Sequence, residues 1–276
     1  MVNINFSKLK KPFIIVEIGI NHGGNLKKAF ELIDAAKNNG ADAVKFQTYI
    51  TEKRVNDKKN KIYKILKKSE LSFDYFIKIN NYCKKNKITF FSTPFDIESV
   101  DFLESINVPF YKIASFDISN YQLINRIIKT KKPTIASTGM AKIDEIKKIF
   151  LAFKNKKIQL CLLHCVSSYP NNDEGSYLSN IQFLKNKFKC TVGISDHTDD
   201  IKIPIYGVLL GAEVVEKHFR IDKNYRCVDE KVSITAKQLH KMRYEIDKLS
   251  KILNKPKFGI RPEERNIKIF KRNRIF

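Results

Sequence analysis

The sequence predicts an α/β protein of the (β/α)8 class, a TIM barrel, on three observations. Eight short runs rich in Val, Ile, Phe and Thr alternate strictly with longer helical patterns, which implies a parallel sheet covered by helices. The chain has 276 residues, a little above the ~250 typical of one such barrel. The competing arrangement, an open doubly wound sheet, normally announces itself by GxGxxG spacing after its first strand. Here the turn reads GINHGGN and lacks that spacing.

The first strand candidate is FIIVEI (13–18). LKKAFELIDAAKNNG (26–40) follows as a helix, with Leu26, Ala29, Phe30, Ile33 and Ala36 on its apolar face and Gly40 as its stop. Strand two, DAVKFQ (42–47), leads past a lysine-dense stretch from Lys53 to Lys68 into a helix over 71–86, for which Ser72 is the N-cap candidate. ITFFST (88–93), FYKIAS (110–115) and PTIAST (133–138) are strands three to five, separated by helices over 96–106 and 119–130. After a helix over 141–155 come IQLCLLH (158–164), TVGIS (191–195) and EVVEKH (213–218), with helices near 176–188, 200–211 and 235–253. No repeat, low-complexity segment or linker interrupts the chain before about residue 254. The division expected is a barrel over 1–253 and a basic extension without clear helical period over 254–276.

Composition narrows the class. Hydrophobic residues are 43% of the chain, enough for a globular core. No apolar run approaches the ~20 residues that span a bilayer, and the start, MVNINFSKLK, has no apolar leader segment. A cytoplasmic protein with no membrane partner is expected. The five cysteines are odd in number and form no CxxC, so reduced structural thiols are expected. Cys161, His164 and Cys165 resemble a metal cluster only on paper, because strand alternation turns His164 away from both cysteines. The net charge of +23 comes from 52 basic residues spread along the whole chain. A lysine-rich surface explains that better than nucleic-acid binding, since no zinc-finger, basic-zipper or aromatic RNA-binding signature accompanies it.

In a (β/α)8 barrel the chemistry gathers at the C-terminal strand ends, and polar residues stand there on every predicted strand. They are Glu17; Lys45 and Gln47; Thr93; Lys112 and Ser115; Ser137 and Thr138; His164, with Ser167 and Tyr169 beyond; Ser195 and His197; Glu216 and His218. Lys45/Gln47, Ser195/His197 and Glu216/His218 are i, i+2 pairs, so each pair shares one face of its strand. Lys45 and Lys112, with Thr93, Ser115 and Ser137, make a cationic, hydroxyl-rich pocket suited to a small phosphorylated carboxylate. His197 and His218, on adjacent strands ~4.8 Å apart, can reach one divalent metal and leave positions open for water and substrate. Ligand type alone does not choose among Mn, Zn, Fe and Co, and acid–base chemistry without metal is the alternative for the pair.

The ordered motifs VEIGINHGG, GADAVKFQTY, FFSTPFD, YKIASFDISNYQLI, IASTGM, LLHCVSSYP, VGISDHT and GAEVVEKHF make the stretch from Pro12 to Leu249 similar to the sialic acid synthase family, the phosphoenolpyruvate-dependent nonulosonate synthases. The resemblance implies condensation of phosphoenolpyruvate with an open-chain N-acylated hexosamine and release of phosphate. It places phosphoenolpyruvate on Lys45, Thr93, Lys112, Ser115 and Ser137, lined by Gln47 and Ser195. It assigns a metal, usually Mn2+, to His197 and His218, and sugar hydroxyls to Glu17 and Asp229. Glu216 is implied beside the metal, with Asp117 where the family commonly has Glu; either carboxylate is a candidate to stabilise the developing cation. Ser167 stands where some members have Asn. Family members usually carry a C-terminal antifreeze-like domain that reaches across a homodimer and donates an arginine to the sugar's N-acyl group. Here IFKRNRIF resembles the start of that linker, so a chain without the domain is expected, with Arg272 and Arg274 near the right end of the chain as candidates to compensate for it. Three functions follow: an N-acetylneuraminate synthase, a pseudaminic or legionaminic acid synthase, or a ligand-binding barrel of low activity that needs a separate partner domain.

Overall fold

Each strand has to bury two faces, one against the helices outside and one inside the sheet, and a closed parallel barrel satisfies both. The computed structural model describes residues 5–253, 256 and 258–272. Within them β1 (Phe13–Gly19), β2 (Ala43–Thr48), β3 (Thr89–Pro94), β4 (Tyr111–Ile113), β5 (Thr134–Ser137), β6 (Leu160–Cys165), β7 (Val192–Asp196) and β8 (Val214–His218) form a closed barrel in chain order. All neighbours are parallel, and β8 returns to β1 with Glu17 opposite His218.

Among the described residues ten α-helices flank the strands: α1 (Leu26–Asn38), α2 (Thr51–Arg54), α3 (Lys61–Ser69), α4 (Phe73–Lys85), α5 (Ile97–Ser105), α6 (Tyr121–Lys129), α7 (Ile143–Asn155), α8 (Ser179–Phe188), α9 (Lys202–Leu209) and α10 (Ala236–Ile252). The Ser72 side chain caps α4 as expected, accepting from the Tyr75 amide. Gly40 follows α1 at φ +97°, and a Cβ there would meet the Arg243 side chain at 2.7 Å. Both the backbone conformation and the close approach require glycine. No helix among the described residues is long and apolar enough to cross a membrane.

Three local readings change. β4 stops at Ile113, because the chain turns into a 3-10 helix over Ser115–Asp117. The lysine-dense stretch after β2 is helical: Leu66 of α3 packs with Ile20 and Tyr49, pinned by the Tyr49 hydroxyl donating to Leu66 O at 2.9 Å. Residues Pro262–Phe270 form a further 3-10 helix. Its short, irregular turns give no 3.6-residue period to read. Of the extension expected over 254–276, positions 254, 255, 257 and 273–276 lie outside the described residues, Arg274 among them.

The barrel interior is layered. Ile15, Ala43, Phe91, Phe110, Ile135, Cys161, Leu163 and Val214 form an apolar floor, with Phe6 packed against it. Strand alternation then puts the residue two positions further along on the same inner face. Those residues are Glu17, Lys45, Thr93, Lys112, Ser137, Cys165 and Glu216. The fold thus lays a polar tier directly above an apolar one, at the C-terminal end of the barrel.

Candidate active site

Four buried charges occupy the polar tier: Glu17 at 2% exposure, Lys45 at 4%, Lys112 at 3% and Glu216 at 5%. An unpaired buried charge is very costly, so each needs a partner. Lys45 Nζ lies 2.7 Å from Glu17 Oε2 and 3.6 Å from Glu216 Oε1, and donates to Thr93 Oγ1 at 3.2 Å. Lys112 Nζ lies 3.6 Å from the same Glu216 oxygen and donates to Ser137 Oγ at 2.7 Å. Ser195 donates to Glu216 Oε1 at 3.0 Å, and Gln47 Nε2 donates to Glu17 Oε1 at 3.0 Å.

The two lysines are not equivalent. Burial alone would lower the Lys45 ammonium, but Glu17 and Glu216 more than offset it and hold it above the ordinary lysine range. For Lys112 burial prevails over the one shared carboxylate and lowers it. Burial would raise Glu216, yet Lys112 and Lys45 hold it below the usual carboxylate range. Of the two lysines Lys112 is therefore the less compensated, and an arriving anion would complete its coordination.

The histidine pair stands beside this network. The His197 and His218 rings are 5.5 Å apart, and the Tyr169 ring lies 4.0 Å from His197. His197 Nδ1 is 2.8 Å from the Val166 carbonyl. A carbonyl only accepts, so Nδ1 carries a proton and turns Nε2 away from the Val166 carbonyl. His218 Nδ1 faces Asp229 Oδ2 at 3.4 Å and makes no hydrogen bond of good geometry. Burial lowers His218, but the Asp229 carboxylate outweighs it and raises the imidazole. An imidazole whose other nitrogen is oriented by a carbonyl or carboxylate is the usual arrangement of a metal-binding histidine, so the pair fits a divalent cation. Among the described residues no three His, Cys, Asp or Glu side chains converge as a protein-only cage.

One pocket is lined by Glu17, Lys45, Gln47, Thr93, Lys112, Ser115, Ser137, Tyr169, Ser195, His197, Glu216 and His218. The other expected residues stand around its edge. Ser167 packs against Gly139, where a Cβ would come within 2.4 Å of its hydroxyl. Asp229 reaches the site through His218. Asp117 accepts from Asn120 at 3.0 Å, and its neighbour Phe116 lines the pocket instead.

His164 does not join the polar ring. It continues the outward column of Leu160 and Leu162, and its Nε2 lies 2.6 Å from the Ser176 carbonyl. Strand six is apolar on both faces, so its sequence carries no alternation to show which residue points inward. Cys165 is the inward residue, with Sγ 3.5 Å from the Ser115 hydroxyl. Thr138 is likewise turned aside, its hydroxyl donating to Leu163 O at 3.0 Å. Arg54 and Phe95 also line the pocket. Both lie beyond the strand ends, and only the helical reading of the α2 segment would have drawn attention to Arg54.

Comparison with known proteins agrees with this architecture. The NeuB family model matches residues 32–257. An N,N'-diacetyllegionaminic acid synthase of Campylobacter jejuni is 36% identical over 284 residues, covering 97% of this chain and 85% of that protein. A pseudaminic acid synthase of the same organism is 39% identical over 244 residues, covering 83% and 71%. The crystal structure of an N-acetylneuraminic acid (sialic acid) synthetase from Leptospira borgpetersenii, in complex with citrate, matches with a TM-score of 0.92 at 37% identity, covering 98% of this chain and 94% of that one. A barrel carrying this polar tier, matched over most of its length by synthases of sialic, legionaminic and pseudaminic acids, belongs to the NeuB family and is an enzyme of that family.

Proposed function

We propose that the enzyme condenses phosphoenolpyruvate with an N-acylated hexosamine, N-acetylmannosamine being the simplest, and releases phosphate. The observation that carries this reading is the under-compensated Lys112 beside Lys45, Thr93 and Ser137 on the barrel's inner face. Two ammonium groups and several hydroxyls in one buried tier suit a small phosphorylated carboxylate. The legionaminic and pseudaminic acid synthases among the relatives support a second acceptor class, the diacylated amino sugars.

In the reaction, C3 of phosphoenolpyruvate attacks the open-chain aldehyde carbon, forming the new C–C bond. The aldehyde oxygen takes up a proton, C2 becomes cationic, and water adds there. Cleavage of the C2–O bond then expels phosphate and leaves a 2-keto acid. Lys45 and Lys112 hold the anionic donor, and Ser115, Ser137, Thr93 and Ser195 fix its orientation. Glu216, kept ionised by the two lysines, supplies negative charge beside the developing cation. Asp117 on the rim is the alternative carboxylate for that role. Glu17, Gln47, Tyr169, Ser167 and Asp229 border the space left for the sugar. His197 and His218 would hold a divalent cation, Mn2+ in our reading, which when bound supplies Lewis-acid polarisation of the aldehyde oxygen.

The test is phosphate release from phosphoenolpyruvate and Mn2+ with N-acetylmannosamine or a diacylated hexosamine. Release that depends on the sugar, with an N-acylated keto acid of nine backbone carbons as co-product, supports the reading. Sugar-independent release, or none with any acceptor, overturns it.

A further inference from the structure

Arg54 is a cation that the network above leaves without a counter-ion. Its guanidinium carbon lies 3.6 Å from the centre of the Phe95 ring and 5.3 Å from that of Tyr49. Its Nη1 donates to Gln47 Oε1 at 3.3 Å. Among the described residues no Asp or Glu comes within ion-pair distance of it; Asp117 and Asp229 act on it from farther away. Yet the side chain lines the same pocket as Lys45 and Lys112. Stacking on aromatic rings orients the planar group and leaves several of its five N–H donors unspent.

The fold holds this arginine in place. Thr51, at the start of α2, donates to Glu70 Oε2 at 2.7 Å, and Tyr49 is tied to Leu66 at the end of α3. The short helix is thereby clamped over the barrel mouth.

Position decides which substrate Arg54 meets. Gln47 lies two residues beyond Lys45 on the same strand face, ~6–7 Å nearer the mouth. Arg54 bonds Gln47 from beyond the strand end, so it stands in the outermost tier. The lysines proposed above to hold the phosphorylated donor lie deeper, which leaves the outer tier to the acceptor. Asp117 and Asp229 are the anions electrostatically closest to Arg54, and they would repel a dianionic phosphate. A neutral oxygen acceptor fits that balance better.

From this we infer that Arg54 is a specificity-determining residue of the synthase reaction, donating to a neutral carbonyl or hydroxyl oxygen of the acceptor sugar rather than binding phosphoenolpyruvate. The inference rests on the function proposed above. A charged donor aimed at a substrate oxygen is worth roughly 1.5–3 kcal/mol, about ten- to a hundredfold.

The experiment measures phosphate release by wild type, Arg54→Ala, Arg54→Lys and Phe95→Leu in Mn2+, varying phosphoenolpyruvate and N-acetylmannosamine in turn. Melting temperatures establish that each variant is folded. Arg54→Ala should raise the sugar KM by ten- to a hundredfold and move the phosphoenolpyruvate KM less than threefold. Arg54→Lys, which keeps the charge but not the planar fork, should recover only part of the loss. Phe95→Leu, which keeps the arginine but removes its aromatic platform, should shift the sugar KM in the same direction by less. Wild-type turnover with an unchanged sugar KM in Arg54→Ala would overturn the inference alone, as would a phosphoenolpyruvate KM that rises as much as the sugar KM. Absence of sugar-dependent turnover in wild type would overturn the underlying function, and this inference with it.

Discussion

Lys112 Nζ donates to Ser137 Oγ at 2.7 Å across β4 and β5, so a hydroxyl rather than a carboxylate is its closest partner. Its nearest carboxylate oxygen, on Glu216 3.6 Å away, is shared with Lys45. In Lys112→Ala the donor anion loses its least compensated ammonium. The KM for phosphoenolpyruvate should rise roughly ten- to a hundredfold, read from phosphate release at saturating sugar. An unchanged KM and kcat would show that this lysine does not hold the donor.

Glu216→Gln separates binding from chemistry. The amide keeps the shape and can still accept from Ser195, but both lysines lose a neutralising charge. Affinity for phosphoenolpyruvate should hold or tighten, while kcat falls by about 10²–10⁴ if the carboxylate acts at the developing cation. Equilibrium titration with phosphoenolpyruvate, set beside steady-state turnover, distinguishes the two effects. Full turnover in this variant would remove Glu216 from the mechanism.

Asp229 orients His218 without itself being one of the expected imidazole ligands. Asp229→Ala should weaken Mn2+ binding by roughly 10–100-fold, measured directly from the free Mn2+ signal. His218→Ala should weaken it further, and excess chelator should abolish turnover. Undiminished activity in chelator would refute the Lewis-acid role.

His22 gives a stability prediction independent of catalysis. It is 1% exposed, lies parallel to the Phe46 ring at 5.7 Å, and burial lowers its pKa to about 4. The unfolded chain would titrate near 6.5. Between these values the unfolded state binds a proton that the folded state refuses, so stability falls as pH drops through 6.5 towards 4. The wild type should lose roughly 2 kcal/mol more than His22→Asn between pH 7.5 and pH 5, by urea denaturation at each pH. Equal losses in the two proteins would show that His22 is protonated in the native state.

Much of the site follows from period two alone. Lys45 with Gln47, Ser195 with His197, and Glu216 with His218 share a strand face in any register, and closure of eight strands brings those faces around one axis. By itself the sequence determined the barrel, the strand order and these paired projections, because alternation and strand–helix rhythm are local properties. Only the tertiary structure decided that Cys165 rather than His164 faces the mouth, since a strand buried on both sides carries no inward mark. Packing of α3 back onto the segment before α2, through Leu66 and Tyr49, a contact that no period within either helix announces, decided that Arg54 stands over the pocket. The sharing of one Glu216 oxygen between Lys45 and Lys112 is likewise a distance among three strands, and distances of that kind exist only once the sheet has closed.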